Sequence, residues 1–186
     1  MEQIKKEKNK ELFFQFFWYF TIFSIIGLII ETLYCYFTTG VIESRKGLLW
    51  GPFCPVYGVG ALSFIFILGK CLKNKTIKQK ILLVPLIFLG CMTIATLIEL
   101  ATSYICEWTM GYWPWQTYVD YEYNFQGRIA LSPSIRFGLG GTAFLYILQP
   151  LFEKITKIMG SKVVRYVAAT VGIIFLSDVV YTFFIK

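Results

Sequence analysis

Three carboxylates stand in stretches of sequence that otherwise hold almost no charge: Glu31 in "GLIIETLYCYF", Glu99 in "TLIELATSY" and Asp178 in "IIFLSDVVYTFF". Arg136, in "SIRFGLGG", is a cation in a similar setting. A charged side chain facing lipid costs roughly 3 kcal/mol, so such groups point inward, pair with one another or line a wet cavity. Two chemistries follow. The charges can capture a polar or anionic ligand or relay protons, or they can form ion pairs, Arg136 with Asp178 for example, that only fix helix order. Three acids against one deep arginine leave surplus negative charge unless Arg45, Lys46 or Arg128 dip inward, and a surplus favours a site that meets something. General acid or base chemistry at Glu31 or Glu99 is a further alternative, because two carboxylates in a low-dielectric pocket can have separated pKa values.

The elements that must position these groups are membrane helices. The 186-residue chain is 56% hydrophobic and 19% aromatic with a mean hydropathy of +0.61, more apolar surface than one small globule could hide. Apolar runs at 12–39, 52–69, 81–106, 134–149 and 163–185 predict five transmembrane helices and an all-α membrane protein. Lys5, Lys6, Lys8 and Lys10 precede the first run, Lys70, Lys73, Lys75, Lys78 and Lys80 lie between the second and third, and Lys154, Lys157, Lys162 and Arg165 between the last two. The positive-inside rule then places the N-terminus in the cytoplasm and the C-terminus outside, in a multi-pass membrane protein. On this reading the net charge of +7 is a topology signal, and no nucleic-acid partner is expected. The start "MEQIKKEKNKE" leads into a run too long for a signal peptide, so the first helix is expected to stay. With no histidine and five cysteines that form no CxxC pair, no metal site and no cofactor are expected. Cys35 and Cys106 fall near the outer ends of their helices, where they form a disulfide or serve as small packing residues.

The chain aligns with itself. "GLLWGPFCPVYGVGALSFIFIL" from Gly47 matches "GRIALSPSIRFGLGGTAFLYIL" from Gly127 without a gap, and upstream "LIIETLYCY" matches "TLIELATSY", which puts Glu31 on Glu99 and Tyr36 on Tyr104. A partial third match puts Asp178 in the carboxylate position. The expected plan is a single membrane domain over 1–186, with one helix pair at 12–69, a second in the same direction at 81–149 and a closing helix at 163–186. Rising 1.5 Å per residue from inner ends near Phe16, Lys80 and Arg165, Glu31 stands about 22 Å up, Glu99 about 28 Å and Asp178 about 20 Å, while Arg136, counted from Pro150, stands at about 21 Å. All four fall in the outer third of a hydrocarbon core of roughly 30 Å.

Irregular backbone precedes the second and fourth helices. "SRKGLLWGPFCPVYG" holds Gly51, Pro52 and Pro55, and "NFQGRIALSPSIRFG" holds Pro133 between Ser132 and Ser134, which predicts late starts, short helices and a serine N-cap on the fourth. Non-helical backbone at membrane depth needs protein or a water-filled cavity to satisfy it, and the helix starts could present amides to an anionic group. Otherwise these are ordinary surface loops. The segment "EWTMGYWPWQTYVDYEYNF" is rich in Trp and Tyr, as at a membrane interface; it reads as an anchor, as a lid over a ligand, or as both. The glycines Gly58, Gly60, Gly138, Gly140 and Gly141 permit close helix approach. The candidate ligand-binding residues are Glu31, Arg45, Glu99, Asp120, Asn124, Arg128, Arg136 and Asp178, and no catalytic residue is assigned.

Over about residues 12–186, "RKGLLWGPFCPVYGVG", "NFQGRIALSPSIRFGLGG" and the acidic first and third helices resemble the type IV ABC-transporter permease family of small bacterial membrane proteins, also called CmpB-like. The resemblance implies a permease-type or substrate-binding membrane subunit of the bacterial plasma membrane. No GxxxxGK[ST] occurs in the chain, so an energising ATPase or other transporter subunit would be a separate protein. Membrane lipid and a second copy of the chain are the other expected partners. The leading expectation is a polar recess in the outer leaflet for a small polar or anionic ligand. The alternatives are a membrane enzyme acting on lipid or cell-envelope material, which lacks any HExxH or GxSxG signature here, and a non-catalytic structural subunit.

Overall fold

The structure is a computed structural model that describes residues 2–41 and 49–185. Helix α1 runs from Glu2 to Thr39, so the expected charged tail is helical, as its run of Glu, Lys and Gln favours. It stops at Gly40, whose φ of 74° and N–H bond to the Tyr36 carbonyl (2.9 Å) form a left-handed cap that glycine adopts without strain. Helix α2 covers Pro55–Ile67, with proline in its first turn. Two short helices follow, α3 (Gly69–Leu72) and α4 (Ile77–Leu82), the latter started by a capping box between Thr76 and Gln79. Helix α5 spans Val84–Met110. A 3₁₀ turn at Gln116–Asp120 leads to a small hairpin of β1 (Asn124–Phe125) and β2 (Ile129–Ala130), an addition to the expected all-helical fold. Helix α6 (Leu131–Ala143) passes through a π-helical turn at Phe144–Leu148 into α7 (Gln149–Val180), which ends in a second π turn at Tyr181–Ile185.

Three helical runs, Lys5–Thr39, Val84–Met110 and Leu131–Ile185, are long and apolar enough to cross a membrane. The expected second span is the 13-residue α2, about 20 Å long at 1.5 Å per residue. The expected fourth and fifth spans lie in the one run Leu131–Ile185, broken at Gly160 (φ 74°, ψ 158°). The loop expected at 153–165 is otherwise helical, supported by an i,i+4 bond from Lys157 Nζ to Glu153 Oε1 at 2.7 Å.

The chain divides into two compact units, one of Met1–Leu62 with Phe152–Lys186, the other of Ser63–Leu151. In the first, α1 supplies an inward face of Tyr19, Thr21, Phe23, Ser24 and Cys35. The ring of Phe175 on α7 packs edge-on against Phe17, Phe20 and Phe53 at 5.3–6.5 Å between centroids. Before α2, the Trp50 N–H donates to Thr182 Oγ1 (3.2 Å), the Gly51 N–H to Asp178 Oδ1 (2.8 Å) and the Cys54 N–H to the Ser24 carbonyl (3.3 Å), so two side chains of the last turns and one backbone carbonyl of α1 satisfy backbone outside any helix. In the second unit α5 packs on α6. Thr96 Oγ1 donates to Ser134 Oγ (2.8 Å), and Ser134 in turn donates to the Ala130 carbonyl (2.8 Å).

The same close approach recurs in both units. A Cβ at Gly58 would collide with Phe20 and Ser24, and one at Gly138 would fall 2.7 Å from Phe88 Cε2 and 3.2 Å from Met92 Cβ. The register that puts Glu31 on Glu99 also puts Phe20 on Phe88 and Ser24 on Met92. Buried residues coincide along it too: Tyr19 with Ile87, Phe23 with Cys91, and Cys35 with Ser103.

Candidate functional site

Helix α5 carries Glu99, Ser103 and Glu107 at i, i+4 and i+8, one stripe of its surface. Glu99 is 7% exposed, and its Oε1 accepts a hydrogen bond from Tyr118 Oη at 2.9 Å. The Tyr118 ring meets Tyr121 edge-on at 5.5 Å, and Tyr121 Oη accepts from Arg136 Nη2 at 3.1 Å. Two tyrosines of the aromatic segment therefore lie between an acid on α5 and an arginine on α6. Tyrosine suits the position because its body is apolar and its hydroxyl both donates and accepts.

The segment is held down by Arg128. Its guanidinium bonds Glu107 Oε2 at 2.5 Å and Ser103 Oγ at 3.4 Å, with Cζ 4.1 Å from the ring centroids of both Tyr104 and Trp113. An arginine between two aromatic faces and a carboxylate is shielded from water, and Arg128 is 7% exposed. Indole N–H groups continue the fastening, Trp113 to the Gly127 carbonyl (3.1 Å) and Trp115 to the Arg128 carbonyl (2.8 Å). Asn124 closes the hairpin turn. Its amide donates to the carbonyls of Tyr121 (2.8 Å) and Val119 (3.3 Å), and its Oδ1 accepts from the Gly127 N–H (2.9 Å). Both central residues of that turn, Gln126 (φ 55°) and Gly127 (φ 63°), are left-handed.

A recess of about 370 Å³ opens beside this hairpin, lined by Tyr121, Glu122, Tyr123, Leu131, Ser132, Ile135 and Arg136. Arg136 presents a planar fork of donors suited to a carboxylate or phosphate, Glu122 an acceptor and Ser132 a hydroxyl, against tyrosine rings and two aliphatic side chains. The sequence-predicted residues fall at several places. Arg136 lines the recess; Glu99 lies under the aromatic segment; Arg128 and Asn124 fasten it; Asp120 is exposed in the 3₁₀ turn. Glu31, half-buried on α1, and Asp178 belong to the other unit, where Asp178 Oδ2 is buried with no hydrogen-bond partner among the described residues. Arg45 lies outside the described residues. Sequence reasoning passed over Glu107, although its i+4 spacing from Ser103 and i+8 from Glu99 put it on the same stripe. The expected serine cap of α6 is replaced by Ala130, because Ser134 Oγ is spent on the Ala130 carbonyl and the helix starts at Leu131. All five cysteines are free thiols, so Cys35 and Cys106 form no disulfide. Among the described residues no group of three or more Cys, Asp or Glu side chains is placed to hold a metal ion.

Helices of this length and apolar composition, with buried charged groups turned onto polar partners, define a membrane protein. The family model described as "Putative ABC-transporter type IV" matches residues 18–183, and the chain belongs to that family. Membership associates it with transport and with other transporter subunits. No curated protein and no solved structure matches it.

Proposed function

We propose that the chain is a permease-type or substrate-binding membrane subunit whose polar recess takes a small polar or anionic ligand. The observation that carries this reading is Arg136, on the wall of a recess of about 370 Å³ and hydrogen-bonded to Tyr121. Its guanidinium would bind a carboxylate or phosphate bidentately, and Tyr121 and Tyr123 would cover the apolar part of the ligand. Glu99 acts through Tyr118 on the same hairpin, so ligand and acid are coupled by aromatic side chains rather than by contact. Glu31 and Asp178 in the other unit and Asp120 in the 3₁₀ turn are further charges of the proposed subunit, and Arg45 stays a candidate from the sequence alone. Five spans with the N-terminus inside, arranged as two parallel repeats and a closing helix, remain the topology this reading uses; the recurrence of the Gly58 contact at Gly138 supports it. Energy would come from a nucleotide-hydrolysing partner subunit.

One observation favours a structural role for part of the polar layer: Asp178 accepts the Gly51 N–H and so fastens the backbone before α2. The test is the thermal unfolding of the purified protein with a panel of small carboxylates, phosphates and neutral polyols. The proposal expects at least one anion to raise the midpoint in the wild type, with the effect lost in Arg136→Gln and partly kept in Arg136→Lys. A panel that leaves the wild type unmoved, or an anion effect that survives in Arg136→Gln, argues against it.

A further inference from the structure

The elbow between α3 and α4 shares no residue with the Arg136 recess. From Gly69 to Leu83 the chain carries Lys70, Lys73, Lys75, Lys78 and Lys80, and no acidic residue stands between Glu43 and Glu99. Asn74, left-handed at φ 58°, turns the backbone, the Thr76 capping box starts α4, and Tyr146 Oη donates to the Lys80 carbonyl at 2.6 Å, so the elbow is fixed at both ends. Within it lies a cleft of about 400 Å³ lined by Cys71, Lys75, Gln79, Leu82, Leu83 and Leu86. One edge is polar, at Lys75 and Gln79. Cys71 of α3 stands at one end, and Leu82, Leu83 and Leu86 form an aliphatic wall that continues from α4 onto α5. The outward side chains beside the lysines are apolar, with Ile77 78% and Leu82 81% exposed.

Cations above an aliphatic slot match the two ends of one molecule. A lysine ammonium attracts a phosphate as a point charge while its stem lies along hydrocarbon, and a short helix with apolar residues outward and lysines between them suits the boundary between headgroups and acyl chains. We infer that this cleft binds one anionic phospholipid, with the phosphate at Lys75 and Gln79 and an acyl chain along Leu82 and Leu86. The aliphatic wall argues for a lipid over a free phosphate, and the absence of nearby acids in the sequence argues for net negative charge over a zwitterion. Diffuse attraction to an anionic surface would spread over all the basic segments; a cleft concentrates it at one lysine.

Native mass spectrometry of the full chain, released from detergent with dioleoylphosphatidylglycerol or dioleoylphosphatidylcholine, tests this. The wild type should retain one phosphatidylglycerol in preference to phosphatidylcholine. Lys75→Gln should lower that retention about fivefold, the loss expected for one surface lysine beside an anionic headgroup. Leu82→Asn should lower it too, whereas Lys162→Gln, an equal charge loss elsewhere, should not. Equal losses in Lys75→Gln and Lys162→Gln would overturn the site in favour of diffuse charge. So would equal retention of the two lipids, or competition by inorganic phosphate together with indifference to Leu82→Asn. None of these outcomes depends on a ligand at Arg136.

Discussion

Replacing Arg128 with methionine keeps a long apolar stem between Tyr104 and Trp113 and removes the charge. The ion pair with Glu107, whose side chain is 43% exposed, is worth about 1 kcal/mol after screening, and each aromatic face about 1 kcal/mol. Relief of the buried guanidinium's desolvation and the packing of the methionine offset part of this, leaving about 2 kcal/mol, or a factor of about 30 in the local opening equilibrium. That loss should fall on the aromatic segment, because Arg128 ties it to α5 beside the Tyr118–Glu99 and Tyr104–Gln126 bonds. Hydrogen–deuterium exchange of the protein in nanodiscs reads this directly at the amides of Gly127, Arg128 and Leu131, which donate to Asn124 Oδ1 and to the carbonyls of Phe125 and Tyr123. Protection over 113–131 should fall about thirtyfold in Arg128→Met and about fivefold in Glu107→Gln, which removes only the ion pair. Lys157→Gln, which breaks the exposed Glu153 pair, should leave the segment unchanged. Exchange in Arg128→Met within twofold of the wild type would refute the reasoning.

Glycine substitutions separate close approach from open space. Gly138→Ala puts a methyl 2.7 Å from Phe88 Cε2 and should cost about 1–3 kcal/mol, read as a lower unfolding midpoint. Gly140→Ala, with nothing within 4 Å of the added methyl, should be neutral or slightly stabilising. Gly58→Ala should be at least as damaging as Gly138→Ala, because its methyl meets the Phe20 backbone carbonyl, which cannot move aside as a ring can. At the other polar group, Asp178→Asn keeps an oxygen for the Gly51 N–H and should leave the unfolding midpoint near the wild-type value. Asp178→Leu strips that acceptor and should cost about 1–3 kcal/mol in the same measurement.

The acid at Glu99 and the close approaches at Gly58, Gly138 and Gly141 were legible in the sequence because helix periodicity and an internal match expose them, whereas Gly60 and Gly140 face open space. Glu99 is buried, and Gly138 is where two helices meet, as a carboxylate in an apolar run and spaced glycines lead one to expect. The late start of α2 followed from Gly51, Pro52 and Pro55, whereas α6 begins at Leu131, ahead of Pro133 and directly after β2. The Arg128 clamp was not legible: Glu107 lies 21 residues away, and nothing local marks a guanidinium that two rings will enclose. The hairpin escaped because two-residue strands are shorter than any alternation can show. The lysine-rich 153–165 stretch reads as a loop, yet Lys, Glu and Ile are all compatible with a helix, and only Gly160 breaks it. Serines near a helix start suggest a cap, but Ser134 sits one turn inside and bonds backward to Ala130.

The most direct measurement is an experimental structure of the protein in lipid nanodiscs, in the presence of the anion that raises its unfolding midpoint most. Non-protein density within about 3 Å of the Arg136 guanidinium, between Tyr121 and Tyr123, is the expected result. A recess filled by its own side chains, or by acyl chains alone, would contradict it.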